Sequence, residues 1–126
     1  MPIVQISLNV DLVKHEKQDL LSSVAQLVSQ VMEKPIHDVM VSLTMGDFVM
    51  QGGFEPAAFI EFRCLSGLQV DDTMKHLYEG MLGIVQQYAP VDPSRVYVNF
   101  FEVRPEHAWR FQDGVAVCPK NTISVR

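Results

Sequence analysis

Proline stands at position 2, directly behind Met1. Loss of the initiator methionine, common when a small residue follows, would leave Pro2 as a free secondary amine. Such an amine can take a proton from carbon and return it to another atom, provided a useful fraction is unprotonated near neutral pH. An apolar surround and a nearby cation both lower an amine's pKa. Ile3 and the stretch around Leu65 can supply the first effect and Lys34 the second, if the fold brings them to residue 2. Each residue also has an ordinary explanation. A proline suits the first position of a strand, where no ladder N–H is required. A lysine at the end of a helix is favoured by the helix dipole.

Other groups offer less. Tyr97 and Asn99 alternate with Val98 and Phe100, which puts them on one face of a strand. They line a pocket or interface together, or they are polar edge residues. Arg95, Arg104 and Arg110 read as solvated or paired charges, and Cys64 as strand packing. His15, His37, His76 and His107 lack metal-ligand spacing, so no metal is expected. The segment GDFVMQGGFEP lacks the lysine-bearing pattern of a phosphate loop, so its glycines serve tight turning or subunit approach.

The elements that must position these groups fit one domain over 1–126, a chain of 126 residues that is 48% hydrophobic. A formal charge of −5 with no basic cluster argues against nonspecific nucleic-acid binding. Local positive charge for an anionic substrate remains compatible with that sum. Cys64 and Cys118 lie far apart without CxxC spacing, which suggests reduced thiols and a cytoplasmic setting. No apolar stretch has the length of a membrane span, and the start lacks the pattern of an export signal.

Alternation of Val4, Ile6 and Leu8 with polar residues predicts a first strand. Leu20, Val24, Leu27, Val28 and Val31 at helical spacing predict an amphipathic helix ending near Glu33, stopped by Pro35. DVMVSL, AAFIEFRCL and RVYVNFFEV read as further strands. A second helix runs through DDTMKHLYEGMLGIVQQYA, with Asp71 or Asp72 as its cap and Gly80 and Gly83 as local weak points. A turn at Gly52, Gly53 and Pro56 carries a short strand ahead of it. The order repeats: strand, helix, KPIHDVMV, then strand, helix, APVDPSRVYV. The expected fold class is α+β, two β-α-β units forming a four-stranded mixed sheet with both helices on one face. The stretch 110–126 forms a C-terminal extension in which VAV and TISV suggest a short edge strand, placed at a subunit interface.

Pro2 behind Met1, EKP at 33–35, GGFEP at 52–56, DPSRVYVNF at 92–100 and Trp109 occur in one order across nearly the whole chain. In these the sequence resembles the macrophage migration inhibitory factor family of the tautomerase superfamily. The resemblance implies a homotrimer with an active site at each subunit boundary. It also implies cofactor-independent keto–enol tautomerisation of small anionic aromatic 2-oxo acids such as phenylpyruvate. It assigns acid/base work to Pro2, carboxylate binding to Lys34 and a pocket wall to Leu65. Tyr97 and Asn99 come from the adjacent subunit, and Phe111 is an aromatic wall. A cytokine-like interaction role is the alternative, though no receptor motif supports it and unconventional export stays open. The sequence departs from the family in three places. Ala57–Ile60 replaces the mammalian CxxC stretch, a pocket-edge tyrosine is replaced near Asp38, and the chain continues further beyond Trp109.

Overall fold

The computed structural model describes residues 1–119. Strand β1 (Ile3–Leu8) leads through helix α1 (Lys14–Met32) to β2 (Met40–Met45). Strand β3 (Ala58–Cys64) leads through α2 (Thr73–Tyr88) to β4 (Val96–Glu102). The sheet order is β2-β1-β3-β4; each outer strand is parallel to its inner one, and β1 and β3 are antiparallel. The two β-α-β halves therefore meet head to tail, with the start of β1 beside the end of β3, where Ile3 pairs with Arg63.

Period-2 and period-3.6 patterns converge on one core. Val4, Ile6 and Leu8 of β1 and Ala58, Ile60 and Phe62 of β3 face both helices. Leu20, Val24 and Val28 of α1 pack over them with Leu77, Met81 and Val85 of α2. Full burial of each such side chain stabilises by roughly 1.5–3 kcal/mol. Among the described residues, no helix covers the opposite sheet face, with Gln5, Glu61, Tyr97 and Asn99.

Four local features differ from the sequence reading. Asp72 takes the N-cap position of α2, but its carboxylate accepts no hydrogen bond. Its backbone (φ −102°, ψ 36°) leaves the extended region that aims a capping side chain at the first helical N–H groups. Instead of a short strand, the stretch before the glycines makes a single bridge between Met50 and Gly53. Gly80 is more than a weak point, since a Cβ there would come within 2.6 Å of the Leu27 side chain. It permits close approach of α2 to α1. VAV forms β6 (Val115–Val117), paired antiparallel with β5 (Arg110–Gln112) in a separate hairpin rather than on the edge of the main sheet. The TISV segment lies outside the described residues.

Candidate functional site at the amino terminus

Helix α1 stops because Glu33 adopts a left-handed conformation (φ 53°). The chain then turns so that the Lys34 N–H donates to the Ser29 carbonyl (3.1 Å), and Ser29 Oγ donates to the Lys34 carbonyl (2.6 Å). This double tie fixes Lys34 at the end of α1. Pro35 cannot extend the helix, and a 3₁₀ turn at Ile36–Asp38 carries the chain into β2. Pro2 is fully buried, and its carbonyl accepts from the Met40 N–H (3.0 Å), which ties the start of β1 to the start of β2.

These ties put residue 2, Lys34 and Leu65 at one end of the sheet. A cleft of about 530 Å³ opens there, lined by Met1, Lys34, Asp38, Leu65, Ala108 and Arg110, together with residues of the β5–β6 hairpin. A second cleft of about 700 Å³ adjoins it, sharing Met1, Asp38, Ala108 and Arg110 and walled by Met40 and Trp109. Trp109 Nε1 donates to the Glu106 carbonyl (2.7 Å), which fixes the indole.

The amino group in the cleft belongs to Met1, one residue outward from the Pro2 nitrogen. Its pKa lies below the ordinary amine value, first because burial disfavours the charge, then because Lys34 repels it. Asp38 pulls the opposite way, and Arg110 adds a smaller downward push. The Asp38 carboxylate lies 3.9 Å from Arg110 and 3.6 Å from His37. Cys64, at the end of β3, is buried, and its thiol donates to the Ser66 carbonyl (3.5 Å). Burial, reinforced by Glu102, pushes that thiol up to about 11, so it is no thiolate at neutral pH.

Of the residues singled out in the sequence, Lys34 and Leu65 line one cleft with Met1, and the buried Pro2 lies directly behind Met1. Tyr97 and Asn99 share the outer face of β4, as their alternation predicts. They stand two strands from β1 and line neither cleft of their own chain. Phe111 is 75% exposed and lies between Arg110 and Gln112, which line the cleft while it does not. The sequence reading passed over Asp38 and Arg110 as site residues. The available signals were the departure near Asp38 and the position of Arg110 directly after Trp109. Arg95 is not solvated: it is 8% exposed and donates to the carbonyls of Met50, Gly53, Glu55 and Pro56 at 3.0–3.5 Å.

Two head-to-tail β-α-β units with both helices on one face, and a cleft at the start of β1, give the α+β fold of the tautomerase superfamily. Within it, the chain belongs to the macrophage migration inhibitory factor family, whose model matches residues 1–112. The fold is similar to that of a macrophage migration inhibitory factor-like protein from Entamoeba histolytica, with TM-score 0.81 and 22% identity over 88% of this chain and 95% of that one. The Toxoplasma gondii macrophage migration inhibitory factor gives TM-score 0.79 and 22% identity over 91% and 99%. A homologue from Prochlorococcus marinus gives 0.79 and 22% over 90% and 97%. A search of curated proteins found no match. Among the described residues, no helix is long and apolar enough to cross a membrane.

Proposed function

We propose that the chain is a cofactor-independent keto–enol tautomerase of small aromatic 2-oxo acids such as phenylpyruvate, with Pro2 as acid and base once Met1 is removed. The observation that carries this reading is the cleft itself, in which Lys34 and Leu65 gather at the residue-1/2 junction. The substrate carboxylate pairs with Lys34. The Pro2 nitrogen takes a proton from C3, and the C–H electrons move into a C2–C3 double bond as the keto oxygen becomes an enolate. The Lys34 ammonium stabilises that developing charge. The protonated amine then gives its proton to the oxygen, and the free base is restored. Leu65 and the buried surround keep a fraction of the amine unprotonated near neutrality.

In this reading the protein is a homotrimer, Tyr97 and Asn99 reach the cleft of the neighbouring subunit, and Phe111 supplies an aromatic wall. Exposure of all three in one chain agrees with that use. The test is phenylpyruvate enolisation by purified protein, by Pro2→Gly, and by a form carrying one extra alanine ahead of Pro2. Activity in the parent and loss in both variants is the expected result. Activity unaffected by either change would sink the amine mechanism. A native mass of three chains is expected, and a mass of one chain would remove the shared pocket.

A further inference from the structure

The proposed substrate pocket is not an apolar slot throughout. Arg110, on β5, lines the same cleft as Lys34 and also the adjoining one, so its guanidinium stands at their common wall. A guanidinium has five N–H donors. Among the described residues, Arg110 uses one firmly, from Nη2 to Gln112 Oε1 at 3.0 Å. Its approach to Asp38, at 3.9 Å, is beyond hydrogen-bond reach. Lys34 and Arg110 are matched in number by Asp38 and Asp113. Asp113, however, is exposed on the hairpin turn, where solvent and salt screen it. Arg110 is itself half exposed and screened in the same way, so the cleft is balanced in charge, and what it offers an anion is the set of guanidinium donors that Gln112 leaves unused. A phenyl ring laid against Arg110 and Asp38 would strip water from both charges and return no hydrogen bond. A carboxylate there would receive two parallel N–H groups.

We propose that Arg110 is a second anion-binding residue of the cleft, so that the preferred substrate is a 2-oxo acid with a second carboxylate at the end distant from its keto group. This rests on the tautomerase reading and narrows its substrate. Lys34 takes the carboxylate beside the reacting carbon, and Arg110 takes the distal one. The two cations come from different elements, so the hairpin sets how far apart the two carboxylates must be.

Deuterium exchange at C3 in D2O, followed by NMR, reads enolisation of any 2-oxo acid. Two matched pairs differ chiefly in the distal charge: 4-carboxyphenylpyruvate against phenylpyruvate, and 2-oxoglutarate against 2-oxohexanoate. In at least one pair the dianion is expected to have the higher kcat/KM, by on the order of tenfold, as a charge-assisted contact implies. Arg110→Gln should collapse that ratio toward one, chiefly through KM, and Arg110→Lys should restore part of it. Added salt should erode the ratio, since the hairpin side of the cleft is open to solvent. Equal or better turnover of the monoanion in both pairs would overturn the proposal, as would an unchanged ratio in Arg110→Gln. If phenylpyruvate exchange depends on Pro2 but no dianion is preferred, the tautomerase reading stands and this one falls. If none of the four compounds exchanges, both fall.

Discussion

Ala57 and Pro2 hold matching places, each the fully buried residue just ahead of a central strand, β3 in one half and β1 in the other. Asp38 and Arg95 match as well, since each ends a 3₁₀ turn that leads into an outer strand. The two ends of the sheet are nonetheless finished differently. At Ala57 the N–H donates to Asn9 Oδ1 (2.7 Å), and Arg95 turns inward to bind the carbonyls of the 50–56 loop. At Pro2 there is no N–H to satisfy, Asp38 is only half-buried, and the cleft opens. A symmetric frame offers two equivalent ends. Stapling the backbone of one with a buried arginine leaves the other as the place where charged side chains can meet a ligand.

The largest expected effect separates the two matched residues. Pro2→Gly should lower enolisation by about 10²–10⁴-fold, the usual contribution of a positioned acid/base group. Ala57→Gly should leave turnover unaffected at a stability cost of about 1 kcal/mol, from added backbone freedom. Steady-state rates and denaturant titrations on both variants check this. Equal loss of activity in the two would mean that Pro2 matters only as strand packing.

Arg95→Met should give the next largest effect, on stability. It removes a buried guanidinium that donates to four carbonyls of the loop, of which Met50, Gly53 and Glu55 keep a second donor, at a cost of about 3 kcal/mol, or roughly a hundredfold in the folding equilibrium. The midpoint of urea unfolding reads it directly. A cost under about 1 kcal/mol would show that the loop holds its own shape and that the staple is not what closes this end.

Much of this contrast was legible in the residues, and some was not. The frame was readable because a strand or helix that buries one face must repeat its apolar residues with its own period. Val4, Ile6 and Leu8 do so in β1, as do Leu77, Met81 and Val85 in α2. Pro2, Lys34 and Leu65 were readable as a set through the family resemblance; in the structure Lys34 and Leu65 line one cleft with Met1, the residue ahead of the buried Pro2. Arg95, read as solvated or paired, does pair with the Glu55 carboxylate at 3.7 Å, but its closer partners are backbone carbonyls, which leave no trace in residue types. Asp38 and Arg110 acquire meaning only when the hairpin folds back over the amino terminus. Gly80 likewise looked like a defect until Leu27 of the other helix was seen beneath it.

A smaller effect sharpens the electrostatics of the open end. A base acts only when unprotonated, so kcat/KM should fall as pH drops through the amine's pKa. At the Met1 amino group, one residue outward from Pro2, Lys34 disfavours the ammonium and Asp38 favours it, and the same signs are expected for a Pro2 amine in the same cleft. Lys34→Ala should raise the amine pKa and move the acid limb of the pH–rate profile to higher pH. Asp38→Asn should lower it and move the limb to lower pH. Movement of both limbs in one direction would show that these charges do not act on the catalytic amine.

The smallest effect tests whether the closed end is a single device. Asn9 Nδ2 donates to the Glu55 carbonyl at 3.0 Å, and Arg95 Nη2 reaches the same oxygen at 3.0 Å. Asn9→Ala alone should cost about 1 kcal/mol, the ordinary worth of its hydrogen bonds in a partly exposed site. In the double variant with Arg95→Met the losses should fall short of the sum by about 0.5–1 kcal/mol, because the first substitution already frees the loop that the second would release. Urea midpoints for the four proteins of the cycle give the coupling. Additivity within about 0.3 kcal/mol would make Asn9 and Arg95 independent ties. The closed end would then be two separate solutions to two buried-backbone problems rather than one counterpart to the cleft.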